Sequence, residues 1–212
     1  MSSALAATAR QGLCYLPACE HWYVTPDDFL QIAWGLWMLA WLAAAGWSSP
    51  ATRRNRLRNE VAYRLPTLLG AVLMFGLHRS WPSAEVVLWR NGSAVAWTLA
   101  AVTTCGFALT WWARIVLGRL WSSGVARKAD HSIVTAGPYR FVRHPIYSGI
   151  ILAALATAAE KGNGAACLGA ALIVLGLSVK ARVEEAFLRD ELGPAQYDAY
   201  ARRVPMLVPF TR

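Results

Sequence analysis

The chain has 212 residues, of which 56% are hydrophobic and only 16% are charged, and its mean hydropathy is +0.34. Soluble domains carry roughly 25% charged residues, so this composition predicts an integral membrane protein. The net charge is +9, yet the basic residues alternate with long uncharged runs, which argues against a nucleic-acid-binding module. With 10 Pro, 16 Gly and no repeat, the chain is expected to be neither disordered nor a repeat array.

The four cysteines indicate neither a disulfide nor a metal site. Cys14, Cys19, Cys105 and Cys167 form no Cys-x-x-Cys pair, and two of them lie in apolar runs where a thiol packs as a small hydrophobe. We therefore expect no metal. The N-terminal residues are apolar but follow no basic segment, and the first arginine is Arg10, so a cleaved signal peptide is not predicted.

Three apolar stretches in the first half of the chain predict transmembrane helices. Residues 29–47 and 94–113 contain 19 and 20 residues without a charge, which is close to the roughly 20 residues that cross a hydrocarbon core. Residues 61–78 are a third candidate, interrupted by Arg64 and Pro66.

Two shorter apolar runs, 146–159 and 165–179, predict a helical hairpin. Pro145 at the first helical position and a continuation through Lys180 and Arg182 would lengthen both helices enough to span. Small residues crowd this hairpin and predict close packing of its helices. The fold class is therefore an all-α integral membrane protein with about five transmembrane helices.

The basic residues set the orientation of these spans. If the N-terminus lies outside, 17 of the 21 Lys and Arg residues fall on the inner side, as the positive-inside rule requires, so the topology is N-out and C-in. This arrangement divides the chain into an extracytoplasmic segment at 1–28, three transmembrane helices within 29–117 and a C-terminal region at 118–212. Short helices are expected at 182–192 and 195–203, separated by a Gly-Pro pair.

Two cytoplasmic segments, 130–147 and 180–200, hold most of the unusual polar residues, and the hairpin between them brings them together. In the first, a Gly-Pro turn and the helix start at Pro145 leave backbone N–H groups available for an anion such as a carboxylate. In the second, Glu184 and Glu185 closely follow an apolar run, where an ionisable group needs a partner such as a cationic ligand group.

Both features also have simpler interpretations. His144, directly before Pro145, could cap the helix. Glu184 and Glu185 could form a solvated face that pairs with neighbouring arginines.

The order of these motifs resembles a known family. Gly-Pro-Tyr-x-x-x-Arg-His-Pro-x-Tyr occupies 137–147, a Glu pair occupies 184–185, and Tyr-x-x-Tyr-x-x-Arg-Val-Pro occupies 197–205. Over about the last 80 residues this pattern is similar to the isoprenylcysteine carboxyl methyltransferase family. The wider group includes phospholipid N-methyltransferases and, with a related C-terminal half, sterol reductases. The ending Arg-Val-Pro-Met-Leu-Val-Pro-Phe at 203–210 favours the carboxyl methyltransferases.

The resemblance implies S-adenosylmethionine as the methyl donor, held on the cytoplasmic side by a methyltransferase-like C-terminal region, without a metal. Glu184 would pair with the cofactor's ammonium, backbone N–H groups and His144 would receive its carboxylate, and Tyr139 or Tyr147 would face its sulfonium by cation–π attraction. The full set of implied cofactor contacts is His131, Ser132, Ile133, Val134, Tyr139, His144, Pro145, Ile146, Tyr147, Glu184 and Glu185.

The implied catalytic residues are Lys180, Arg182 and His144. Animal members of the family place an arginine four residues before the first Glu to hold the substrate carboxylate. This chain has Lys180 at that position, and Arg182 is a possible substitute. Lysine is a point charge and not a planar fork, so the geometry of recognition differs. A carboxylate acceptor needs no base, whereas an amine acceptor does, and His144 or a Glu is then the candidate.

The predicted function is S-adenosylmethionine-dependent methyl transfer to a lipophilic acceptor from the bilayer, specifically carboxyl O-methylation of an isoprenylcysteine-like substrate. The expected partners are a lipophilic or prenylated substrate and membrane lipids, with no nucleic acid, and the oligomeric state stays open. The alternatives are a phospholipid (ethanolamine) N-methyltransferase, a nicotinamide-dependent reductase and a non-catalytic lipid-binding or scaffold protein.

Overall fold

The structure is a computed structural model that describes residues 24–46, 53–54, 57–76, 86–118, 126–127 and 134–211. These residues form a predominantly helical protein, as predicted. The helices are α1 (Pro26–Ala43), α2 (Leu57–Phe75), α3 (Ser93–Leu117), α4 (Pro145–Lys161), α5 (Gly164–Leu192) and α6 (Pro194–Ala201). Two short strands, β1 (Arg53–Arg54) and β2 (Ala126–Arg127), pair antiparallel, and single 3-10 turns occur at Ala44–Gly46 and Gly137–Arg140.

Three of the described helices, α1, α3 and α5, are long and apolar enough to cross a membrane. Helix α4 has only 17 residues, and α2 carries charged residues in its first turns. The predicted spans at 29–47 and 94–113 are thus confirmed as long apolar helices. Spanning by α2 and α4 stays a prediction.

Helix α5 is longer than its apolar run. Asn163 caps its start by accepting a hydrogen bond from the N–H of Ala166 at 2.8 Å, and Gly193, at φ 88°, ends it. The helix continues without a break through the stretch predicted as a separate helix at 182–192, because no Gly or Pro interrupts it. Lys180 and Glu184 therefore lie one turn apart on the same face.

Glycines allow the helices to pack with their backbones close together. A methyl group on Gly106 of α3 would lie 2.6 Å from the carbonyl oxygen of Gly149 in α4, and one on Gly70 of α2 would lie 2.5 Å from that of Gly169 in α5. The small residues of the hairpin were predicted to pack α4 against α5. Instead, Gly149 of α4 packs against α3, and Gly169 of α5 packs against α2.

Replacing Gly106 by Ala is expected to destabilise the protein by about 1–3 kcal/mol, because the added methyl group meets a backbone carbonyl that cannot move aside. Gly35→Ala is the matched control, since a methyl group there meets nothing within 4 Å, and helix propensity predicts a neutral or slightly stabilising change. Thermal unfolding in detergent would measure both. Equal melting temperatures for the two variants would contradict the close α3–α4 contact.

The tryptophans of α1 pack inside the bundle. The indole N–H of Trp34 donates to the hydroxyl of Thr157 at 3.0 Å, and that of Trp37 donates to the hydroxyl of Thr110 at 2.9 Å. Trp41 stacks on Trp37 with a centroid distance of 5.1 Å. These contacts hold α1 against α3 and α4, so this aromatic face is structural.

Candidate active site

The candidate site forms where the loop before α4 meets the C-terminal half of α5. Gly137 adopts a φ of 56°, which suits glycine, and the following 3-10 turn buries Pro138 and Tyr139. Pro145 then begins α4, as predicted. Hydrogen bonds from residues 143–147 to Glu184 and Glu185 confirm that the two polar segments come together.

His144 lies between the two glutamates. Its Nδ1 is 3.5 Å from Oε2 of Glu184, and its Nε2 is 3.2 Å from Oε1 of Glu185. Burial disfavours a charged imidazole, but the hydrogen bonds and charges of the two carboxylates outweigh burial and raise the pKa of His144 above its ordinary value. Both ring nitrogens donate only in the imidazolium form. The two carboxylates therefore favour the imidazolium form of His144. Its predicted contact with the cofactor's carboxylate stays a prediction.

His144 is the N-cap residue of α4, but its side chain makes no capping hydrogen bond and faces the two glutamates instead, so capping does not account for the side chain. The interpretation of the glutamates as a solvated face is wrong. Glu184 and Glu185 both contact His144, and Arg189 pairs with Asp198 of α6 at 2.8 Å.

Glu184 also joins Tyr147 and Lys180 in one cluster. The hydroxyl of Tyr147 donates to Oε1 of Glu184 at 2.5 Å, and its ring stacks on that of His144 with a centroid distance of 5.3 Å. The ammonium of Lys180 lies 5.1 Å from the centroid of the Tyr147 ring. The structure does not bring Arg182 into this cluster, because that side chain is exposed on the opposite face of α5.

Arg143 has a role that was not predicted from the sequence. Its Nε donates to Oε1 of Glu185 at 2.7 Å, and its Nη1 donates to the carbonyls of Ala201, at 2.9 Å, and Val204. The signal was present in the motif, since an arginine precedes the histidine that faces a distant Glu pair. Arg143 links α5 to the C-terminal segment, residues 201–207.

The C-terminal segment lies along the start of α4. The backbone N–H groups of Arg143 and His144 donate to the carbonyls of Pro205 and Met206 at 2.9 and 3.1 Å, and the hydroxyl of Ser148 donates to the carbonyl of Leu207. These contacts explain why the Arg-Val-Pro ending accompanies the Arg-His-Pro motif.

Tyr139 lies at the edge of the cluster. The hydroxyl of Tyr200 donates to its carbonyl at 2.9 Å, and burial, together with the charge of Glu184, raises the pKa of the Tyr139 phenol well above its ordinary value. The phenol therefore stays neutral and can serve as a π surface or a hydrogen-bond donor.

The other predicted cofactor contacts lie on either side of the loop. Pro145 and Ile146 are buried in the first turn of α4, and Val134 packs against the core. His131, Ser132 and Ile133 lie outside the described residues. Within the described part of the chain no group of three or more metal-ligating side chains occurs, and Cys105 and Cys167 are free thiols.

The raised pKa of His144 predicts a pH-dependent stability. A group whose folded pKa is raised contributes stability that is complete below its unfolded pKa of about 6.5 and is lost as the pH rises through the folded value. The melting temperature should therefore fall as the pH rises above about 6.5, and His144→Asn should remove part of this slope. Identical slopes for the two proteins would contradict the charged imidazole.

Residues 98–190 match the isoprenylcysteine carboxyl methyltransferase (ICMT) family. A protein-S-isoprenylcysteine O-methyltransferase of Schizosaccharomyces pombe is 36% identical over 100 residues, which cover 46% of this chain and 42% of the relative. The chain is thus similar to this family over residues 98–190. The family match begins within α3 and ends within α5, so it includes the Arg-His-Pro motif and the Glu pair.

A second relative, methanethiol S-methyltransferase 1 of Bradyrhizobium diazoefficiens, is 31% identical over 160 residues, which cover 71% of this chain and 54% of the relative. The chain thus spans about half the length of the curated relatives it matches, or somewhat less. A solved structure of a eukaryotic intramembrane Ras methyltransferase of the ICMT family shares the fold, with a TM-score of 0.55 and 20% identity over 89% of this chain and 69% of that one.

Proposed function

We propose that this protein transfers a methyl group from S-adenosylmethionine to a lipophilic acceptor in the membrane, by carboxyl O-methylation of an isoprenylcysteine-like substrate. The observation that carries this proposal is the cluster in which Lys180, Glu184 and Tyr147 meet beside the Arg-His-Pro motif. Residues 98–190, which include this cluster, match the family model, and the S. pombe relative is a protein-S-isoprenylcysteine O-methyltransferase.

The donor set fits S-adenosylmethionine. Glu184 and Glu185 supply carboxylates for an ammonium group, and the first N–H groups of α4, which lack intrahelical partners, suit a carboxylate. The ring of Tyr147 already contacts His144 and Lys180, so Tyr139 is the better candidate to face a sulfonium. When bound, the cofactor supplies a methyl group activated by positively charged sulfur.

Lys180 is the residue that we assign to the acceptor. Its ammonium would hold the acceptor's carboxylate in line with the methyl group, and the apolar helices around it exclude water. A carboxylate needs no base. The N-methylation alternative requires one, and His144 is poorly suited because both of its ring nitrogens face carboxylates, which raise its pKa and favour the protonated form.

The orientation in the membrane is also a proposal. We place residues 1–28 outside, five helices across the bilayer within 29–117 and the hairpin, and the cofactor site on the cytoplasmic side of the 118–212 region. The distribution of Lys and Arg supports this orientation, because 17 of 21 then lie inside.

S-methylation of a small thiol is a second candidate. The bacterial methanethiol S-methyltransferase aligns with a larger part of this chain than the S. pombe relative does. A thiolate is an anionic nucleophile, so Lys180 would serve it as it serves a carboxylate.

The test is to incubate the purified protein in lipid with methyl-labelled S-adenosylmethionine and to offer an S-farnesylated cysteine, methanethiol and phosphatidylethanolamine in parallel. A base-labile label on the cysteine derivative is the expected result, because methyl esters hydrolyse in mild base. Label on methanethiol would favour the second candidate. A base-stable label on phosphatidylethanolamine, or transfer to none of the three, would contradict carboxyl methylation.

A further inference from the structure

Tyr63 of α2 is a buried polar side chain that has no role in the site described above. Only 3% of its surface is exposed, and its hydroxyl has no hydrogen-bond partner among the described residues. An unpaired buried hydroxyl costs about 1–3 kcal/mol, so its retention needs a reason.

The position of Tyr63 relates it to the candidate site. The ammonium of Lys180 lies 5.5 Å from the Tyr63 ring centroid and 5.1 Å from that of Tyr147, so it lies beside both rings. Glu60 and Arg64 of the same helix, and more weakly Glu184, interact electrostatically with the Tyr63 phenol. The N-terminal half of the chain thus contributes a residue to a site whose motifs all lie in the C-terminal half.

Close backbone packing fixes this placement. A methyl group on Gly176 of α5 would lie 2.8 Å from the carbonyl oxygen of Tyr63 and 2.2 Å from the hydroxyl of Thr67, which itself donates to that carbonyl at 2.7 Å. Gly176 is one turn before Lys180. The contact therefore holds Tyr63 next to Lys180 without a side-chain hydrogen bond.

The charges around the phenol favour an anionic ligand group. Lys180 and Tyr63 are both hydrogen-bond donors, and the carboxylate of Glu184, which contacts His144 and Tyr147, is the one assigned above to the cofactor's ammonium. Glu60, one turn before Arg64 on α2, is paired with that arginine at 2.9 Å. The ammonium and the phenol hydroxyl would together offer hydrogen-bond donors to the several lone pairs of a carboxylate or thiolate.

We propose that Tyr63 donates a hydrogen bond to the anionic nucleophile of the methyl acceptor, next to the Lys180 ammonium. This inference rests on the proposed function and names a class of acceptor, one whose nucleophile is a carboxylate or thiolate. Tyr63 would then be an acceptor-binding residue supplied by α2, and its unpaired hydroxyl would be satisfied when the acceptor is bound.

The experiment compares the wild type with Tyr63→Phe for two ligands, an S-farnesylated cysteine and its primary carboxamide. Loss of a hydrogen bond to a charged group predicts that affinity for the carboxylate falls about tenfold to a hundredfold. Affinity for the carboxamide should change much less, and binding of S-adenosylhomocysteine should stay within about twofold, because the substitution leaves the carboxylates assigned to the cofactor in place.

Protein stability separates this role from a structural one. Because the Tyr63 hydroxyl is unpaired, Tyr63→Phe should leave the melting temperature of the ligand-free protein unchanged or raise it. Thr104→Val is the matched control, since it removes a hydroxyl on the exposed face of α3 that donates to the carbonyl of Ala100 at 3.0 Å. This variant should bind the carboxylate as the wild type does.

The outcomes are distinguishable. Equal losses for the carboxylate and the carboxamide, or no loss for either, while the wild type still methylates the farnesylated cysteine, would overturn the role of Tyr63 and leave the proposed function standing. If methanethiol is the acceptor, the KM for methanethiol is compared between the wild type and Tyr63→Phe. A wild type that methylates neither would overturn both proposals.

Discussion

Replacing Glu184 by Gln is expected to weaken the binding of S-adenosylhomocysteine about thirtyfold or more. Removing one partner from a buried charge pair costs about 2–5 kcal/mol, and Glu184 is the carboxylate that we assign to the cofactor's ammonium. The substitution also removes the charged acceptor of Tyr147 and one of the two carboxylates that face His144. Calorimetric titration of the purified protein in lipid would measure the loss.

Asp190→Asn is the matched control for this variant. It removes a carboxylate from the same helix at an exposed position, so cofactor affinity should stay within about twofold of the wild type. If the two variants bind equally well, Glu184 does not hold the cofactor. A melting curve of Glu184→Gln shows whether the protein is still folded.

The second large effect is expected for Lys180→Gln, with kcat/KM for the methyl acceptor falling about a hundredfold. The reason is that a partly buried cation facing the acceptor's anion is lost, and a close charge pair of this kind is worth about 2–5 kcal/mol. Affinity for S-adenosylhomocysteine should change much less. Initial rates measured over a range of acceptor concentrations would separate the effects on KM and kcat.

Arg182→Gln distinguishes between the two basic residues predicted for the acceptor. Arg182 is exposed on the opposite face of α5, so its loss should change kcat/KM less than about twofold. A large loss in Arg182→Gln with little change in Lys180→Gln would reverse our assignment and require a different arrangement of the acceptor.

The sequence predicted the general architecture because apolar length and Pro145 are local signals. The last apolar run predicted from the sequence ends at 179, because hydropathy decreases there. Helix α5 continues to Leu192. Hydropathy reports burial in lipid and not the end of a helix, which needs a Gly or Pro. The small residues predicted close packing, but they could not indicate that Gly149 and Gly169 would face α3 and α2.

The site residues that belong to the sequence motifs could be predicted from the sequence. Glu184 and Tyr147 were predicted on these grounds, and the structure places them in direct contact. The charge state of His144 was not predictable, because it depends on two carboxylates some 40 residues away in sequence. Tyr63 belongs to no motif, and only the packing of α2 on α5 brings it near Lys180.

The attachment of the C-terminal segment has a consequence for biosynthesis. Arg143 and His144 bond to carbonyls between Ala201 and Met206, which the ribosome adds about 60 residues after them. A nascent chain can insert its apolar helices into the bilayer as they emerge, since each helix satisfies its own backbone. The loop that holds His144, however, gains these partners only after residues 201–207 have left the ribosome. Membrane insertion therefore precedes assembly of the site, and translation that stops within α6 would yield an inserted but inactive protein.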